Sequence, residues 1–294
     1  MSPRPSLRGR RRTAGAGAFG AAIVLLMPAC RPEPPVTASD GRDPIPLDYL
    51  PALRGDYFEL QSENVGLPFH IYVRFPERYE SDDARYPVVY LLDGDSLFPI
   101  LASNHLFLSY DEGLPEALVV GIAYGSFDPS VNKRSFDFSA PAPDAGPDEG
   151  GAPAFVAFLT DELIPEIERR YRADPQRRVL FGQSRGGYLV LYSAFTAPDL
   201  FWGRIASNPT FDPGRERFFS PAAPAARGDL GLVVTSGSRD RPALRQAALE
   251  WYDAWKDREK PWSLDLITID GGTHAADSAN SYRAAMLRLF SEAR

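Results

Sequence analysis

The sequence predicts an α/β fold in which helices cover both faces of a mostly parallel central sheet. Three observations predict it. Strand-like and helix-like segments alternate from about residue 87 to the end, the pattern of parallel strands joined by crossover helices. Two runs, Pro87-Val88-Val89-Tyr90-Leu91-Leu92 and Ala117-Leu118-Val119-Val120-Gly121-Ile122, carry no polar side chain apart from a tyrosine hydroxyl, as expected of strands buried on both faces. The chain has 294 residues, of which 44% are hydrophobic and 24% charged, values that exclude a disordered or collagen-like protein. That length gives room for one domain of about 240 residues with a large core.

The elements follow in order. The folded part is expected from residue 53 to 294. A first strand is predicted at 56–60. A second, over 67–75, alternates so that Phe69, Ile71, Val73 and Phe75 share one face and His70 takes the other. These two are close in sequence and should form an antiparallel edge. The central strand at 87–92 is broken sharply by Asp93-Gly94-Asp95. A helix at 97–108 and a strand at 117–122 come next. Residues 139–153 hold four prolines, three glycines and three acids, and read as an outward-facing surface loop. Helical spacing over 155–171 contains Pro165, where a kink is expected. Strands are then predicted at 178–181, 204–206, 230–235 and 263–269, and helices at 185–195, 242–255 and 276–290. No internal repeat is present.

Residues 1–29 stand apart. They contain five arginines and no acid, and an uncharged stretch runs from Thr13 to Cys30 around Ala22-Ile23-Val24-Leu25-Leu26. A basic region followed by a short apolar region is the layout of a secretory signal. The stretch is shorter and more diluted than a membrane-spanning helix requires. Cys30, the chain's only cysteine, falls where such a signal would be cut, and Met27-Pro28-Ala29-Cys30 resembles a bacterial lipidation site. The expectation is an exported protein of the periplasm or cell envelope, anchored by lipid at Cys30. Seven prolines between residues 28 and 51 make 30–52 a stiff tether.

Composition narrows the function. One cysteine excludes an intramolecular disulfide framework, and three histidines leave little for a metal centre, so neither metal nor cofactor is expected. Without residues 1–29, 27 Lys and Arg face 39 Asp and Glu, a formal charge of −12. Nucleic acid is therefore not an expected partner, and membrane contact is expected only through the lipid.

The sharpest motif is Gly182-Gln183-Ser184-Arg185-Gly186-Gly187, placed between a predicted strand and a predicted helix. A serine on so tight a turn, flanked by glycines, has its hydroxyl exposed above the sheet at a helix N-terminus. A serine hydroxyl needs a base to become a nucleophile. His274 follows the last strand in Asp270-Gly271-Gly272-Thr273-His274 and is the expected base; His105, inside a predicted helix, reads as a surface or packing residue. The acid that orients the base should lie between Ser184 and His274 in the chain. Asp240, after the 230–235 strand, is favoured over Asp270. Backbone N–H groups of Arg185 and Asp95 are expected to form the oxyanion hole.

The segment Tyr86–Gly94, the elbow around Ser184 and Gly272-Thr273-His274 together resemble the esterase family of α/β-hydrolases. That family includes esterase D-type enzymes, siderophore (enterochelin-type) esterases, feruloyl esterases and mycolyltransferases. The resemblance extends from about residue 55 to the end. It implies an α/β-hydrolase fold, Ser184 as nucleophile, His274 as base, an acid at Asp240, and a small-molecule ester as substrate. Two positions depart from the family: Gln183 stands where histidine is common, and Ser207-Asn208-Pro209 stands where Ser-Pro-Ser is frequent. Both are expected to line the pocket away from the triad. An acyltransferase using the same three residues, and a ligand-binding lipoprotein without catalysis, are the alternatives.

Overall fold

The computed structural model describes residues 50–141 and 150–291. The expected signal at 1–29, Cys30 and nearly all of the 30–52 tether lie outside the described residues.

The described residues form one eight-stranded sheet with strand order β1-β2-β4-β3-β5-β6-β7-β8. β1 (Gly55–Gln61) and β2 (Pro68–Arg74) pair antiparallel at one edge, and β2 pairs antiparallel with β4 (Leu118–Ala123). From β4 onward every pairing is parallel: β3 (Tyr86–Leu91), β5 (Ala173–Gln183), β6 (Gly203–Ser207), β7 (Gly231–Gly237) and β8 (Ser263–Ile269). The two near-continuous apolar runs become β3 and β4, buried in the sheet interior. β1 and β8 are the edges of the sheet, with a strand neighbour on one side only, and β8 has no fully buried residue.

Two apolar cores lie on the two faces. On one, α1 (Gly94–Asp111) and α7 (Ser278–Ser291) pack Leu97, Leu101, Tyr282 and Met286 against Val89, Val119 and Phe181. On the other, α3 (Ala152–Ala157), α4 (Ile164–Arg170), α5 (Arg185–Thr196) and α6 (Pro242–Trp255) cover Tyr90, Val120, Leu180 and Val234. A four-residue turn, α2 (Arg134–Asp137), has no counterpart in the sequence reading.

Four segments differ from expectation. The strand expected at 178–181 is longer, with β5 running over Ala173–Gln183. The helix expected at 97–108 begins at Gly94, because Asp93 takes a left-handed conformation (φ 56°) and its carbonyl accepts the N–H groups of Ser96 and Leu97. The kink at Pro165 takes the form of a π-helical turn, Phe158–Leu163, between α3 and α4. Proline has no N–H for the carbonyl four residues earlier and its ring crowds that carbonyl; widening the preceding turn relieves both. The 139–153 loop does not face outward as a whole. Ala140 and Ala152 are buried, because Gly151 and Ala152 donate their N–H groups to Phe136 and Ser139 carbonyls across the two arms. Its centre, 142–149, lies outside the described residues.

Candidate active site

The C-terminal ends of β3, β5, β6, β7 and the loop after β8 converge on Ser184. Its φ of 57° is unusual for a serine, a conformation that persists only when its surroundings hold it. They do so here. The Ser184 N–H donates to Ser207 O at 2.9 Å, and Ser184 O accepts N–H groups from Tyr188 and Thr210. The turn needs glycine at 182, where a Cβ would stand 2.4 Å from the Gly186 carbonyl oxygen. The hydroxyl therefore sits at the N-terminus of α5, at the junction the motif predicts.

His274 Nε2 lies 2.9 Å from Ser184 Oγ, and His274 Nδ1 lies 2.9 Å from Asp240 Oδ1. The three residues, 90 and 34 positions apart along the chain, form one continuous hydrogen-bonded row. Asp240 is buried, with a side chain 1% exposed, while His274 and Ser184 are half-buried. The same Asp240 oxygen accepts the Arg241 N–H at 2.6 Å, which helps fix the carboxylate's orientation. Asp270 sits elsewhere: it accepts the Ser238 hydroxyl at 3.4 Å on the exposed side of the β8 end.

The loop bearing Asp240 and the loop bearing His274 are tied backbone to backbone. Ser238 N–H donates to Ile269 O and Arg239 N–H donates to Gly272 O, at 2.9 and 2.8 Å. Gly271 (φ 70°) makes the reversal that brings His274 back over the sheet.

Gln183 and Asn208 are not pocket-lining residues remote from the triad. The Gln183 side-chain amide donates to the His274 carbonyl. Asn208 is buried, and its amide nitrogen donates to the carbonyls of Thr273 and His274 at 3.3 and 3.4 Å. Its amide oxygen accepts the Gly237 N–H at 2.7 Å. One asparagine thereby joins the ends of β6 and β7 to the histidine loop. Its φ of 42° is one that asparagine tolerates better than most residues. The two departures from the family pattern thus hold the same carbonyl. Sequence carries a signal for them only as polar amides at strand ends; their common target is 66 and 91 residues away.

The structure places Arg185 as the first residue of α5 and Asp95 in the first turn of α1. First-turn N–H groups have no intrahelical acceptor, so both backbones present donors at helix N-termini. The Asp95 carboxylate turns the other way and accepts the N–H groups of Tyr124 and Gly125 at 3.0 and 2.7 Å, bracing the end of β4. Its neighbour Asp93 lies over Gly186 of the elbow and forms a bidentate pair with Arg134, at 2.5 and 2.8 Å. The sequence reading missed Arg134, since nothing at 134 marks a partner 41 residues upstream. Arg185 donates to the Asp212 carbonyl, and burial, with the Arg134 charge nearby, lowers its guanidinium pKa. The Arg134 charge is thus matched by Asp93, and Arg185 is bonded to a backbone carbonyl.

His105 is buried between Tyr282 OH (2.8 Å) and the Pro115 carbonyl (3.1 Å), which makes it a packing residue of the α1–α7 face.

Residues 62–290 match the family model described as "Putative esterase". The chain belongs to this esterase family. Among curated proteins, it is 35% identical over 164 residues to the ferri-bacillibactin esterase BesA of Bacillus subtilis, covering 51% of this chain and 56% of that one. It is 29% identical over 168 residues to the siderophore triacetylfusarinine C esterase of Aspergillus fumigatus, covering 55% and 57%. The matched stretch thus spans about half the length of these relatives. Among solved structures, the BES protein from Bacillus cereus superposes with a TM-score of 0.68 at 23% identity, over 80% of this chain and 95% of that one. That likeness shows the α/β-hydrolase fold.

Proposed function

We propose that this family member is an exported serine esterase that hydrolyses siderophore esters. The continuous row Asp240–His274–Ser184, with both links at 2.9 Å on a strained strand-to-helix turn, carries the reading. Ser184 Oγ attacks the ester carbonyl while His274 Nε2 takes the hydroxyl proton. Asp240 accepts the His274 Nδ1–H bond and stabilises the imidazolium. The backbone N–H groups of Arg185 and Asp95 receive the charge that develops on the carbonyl oxygen. His274 then returns the proton to the leaving alcohol, and Ser184 keeps the acyl group. A water, deprotonated by His274, attacks the acyl carbon; the acyl–Oγ bond breaks, the acid leaves, and His274 returns the proton to Ser184 Oγ. Every step uses the chain's own groups.

The substrate class is supported by the siderophore esterases among the relatives. The signal-like layout of residues 1–29 and the position of Cys30 support export and lipid anchoring in the periplasm or cell envelope.

Fluorophosphonate labelling read by intact mass tests the chemistry. One adduct on the wild type and none on Ser184→Ala is expected; an unlabelled, folded wild type would leave a binding protein in place of an enzyme. Turnover of siderophore esters against simple aryl esters then tests the substrate class. An aryl preference of tenfold or more would remove the siderophore assignment. Radiolabelled palmitate incorporated by the wild type, and not by Cys30→Ala, is the expected outcome for the anchor.

A further inference from the structure

Between Asp95 and Asp111, helix α1 carries no Asp, Glu, Lys or Arg. Its inner side, including Leu97, Leu101 and Leu108, is buried against the sheet and α7. Its outer side carries Ser103 and Asn104 between exposed apolar residues. Ile100 and Phe107 lie two turns apart on one stripe and are 50% and 58% exposed; Tyr110, one turn further, is 71% exposed.

The stripe continues beyond the helix. Eight large hydrophobic residues are exposed among the described residues. Leu50 and Phe127 belong with Pro99 to the wall of an open groove of about 460 Å³ beside the N-terminal half of α1. Tyr57 packs on Tyr72, which lines the same groove. Six of the eight therefore gather along α1 and the adjoining groove, where a scattered distribution would need no explanation.

We propose that this face of the protein lies on a membrane surface. The chain itself indicates the occupant. Leu50, in the groove wall, is where the described chain begins, and Cys30 is 20 residues upstream. A lipid at Cys30 would tether the protein through the chain that leads to Leu50; that part of the argument rests on the lipidation proposed above. Phe107, Tyr110, Phe127 and Tyr57 are the aromatic side chains suited to the boundary between headgroups and acyl chains. The uncharged stripe, in a chain of formal charge −12 without residues 1–29, fits neutral headgroups and disfavours anionic ones. No described helix is long and apolar enough to cross a membrane, so the contact is one of lying on the surface.

Flotation of the unlipidated Cys30→Ser protein, with residues 1–29 removed, reads the face separately from the lipid and from catalysis. The probe is phosphatidylcholine vesicles, with and without phosphatidylglycerol, at physiological salt. Binding to the neutral vesicles is expected, with no gain from the anionic lipid. The pair Phe107→Glu and Tyr110→Glu should lower the bound fraction at least tenfold while hydrolysis of a soluble ester and the thermal midpoint stay unchanged. Wild type that floats no more than this variant overturns the proposal, as does binding that requires phosphatidylglycerol. Size-exclusion chromatography with light scattering then identifies the alternative: a dimer lost in the variant assigns the face to a second copy, and a monomer leaves the face uncovered or covered by the chain's own 31–49 segment.

Discussion

His274 performs its proposed role only while its ring stays between Ser184 and Asp240, and side chains outside the three fix that position. Asp240 does so directly. Asp240→Asn keeps the shape, loses the charge that stabilises the imidazolium and favours the wrong tautomer. We expect kcat to fall by roughly 10²–10⁴ with KM little changed, measured as steady-state ester hydrolysis. Gln183 and Asn208 act through the His274 carbonyl. Asn208→Gly preserves the backbone conformation at φ 42° and removes only the amide. Its labelling by fluorophosphonate should slow about tenfold, as should that of Gln183→Ala. The double variant should slow by less than the product of the two, because both amides hold one group. Strict additivity would show that the amides act on separate targets.

Among the elements, α5 has the most demanding placement, since its first residue follows the serine. Its far end is held by Arg204 of β6, which is buried without a carboxylate in contact. The guanidinium donates to Ser193 Oγ and to the carbonyls of Ser193, Ala197, Pro198 and Phe201 at the C-terminus of α5, where the helix dipole favours a cation. Arg204→Met should leave several buried carbonyls unpaired and cost about 3 kcal/mol or more. In calorimetry that is a drop in Tm of about 6–12 °C. An unchanged Tm would mean that α5 needs no such anchor. The loop between β3 and α1 is the second demanding element. Asp93 holds a left-handed conformation and its carboxylate pairs with Arg134, so the loop between β3 and α1 is clamped to the segment after β4.

At the scale of the whole molecule, stability depends on pH through a group far from the serine. Burial pushes the His105 pKa from 6.5 down to about 4, so the folded state keeps this ring neutral where the unfolded chain protonates it. Its contribution is complete above about pH 6.5. It declines as pH falls from 6.5 and is lost by about pH 4, a difference of about 3 kcal/mol. Urea midpoints of the wild type and His105→Gln at pH 7 and pH 4.5 should show the wild type losing about 2–3 kcal/mol more than the variant. Equal losses would show that His105 opens to water before it titrates.

The α/β class, the order and rough limits of the strands, and the three residues that meet at Ser184 were all legible in the sequence. Each of these has a local cause: unbroken apolar runs for doubly covered strands, small residues around a tight turn, and loops at the ends of strands in a known chain order. Periodicity also told strand from helix, with errors only where an end was set by something else. Asp93 started α1 early, and Pro165 widened a turn where a simple kink was expected. Only the tertiary structure decided that Arg134 pairs with Asp93, that Gln183 and Asn208 share one carbonyl, that Arg204 ends α5, and that Ile100, Phe107 and Tyr110 of α1 stay exposed. Such contacts join residues from 7 to 91 positions apart, and their partners are chosen by which strand ends the sheet order brings together. Local pattern determines what each segment becomes; it holds no information on which distant segment will stand beside it.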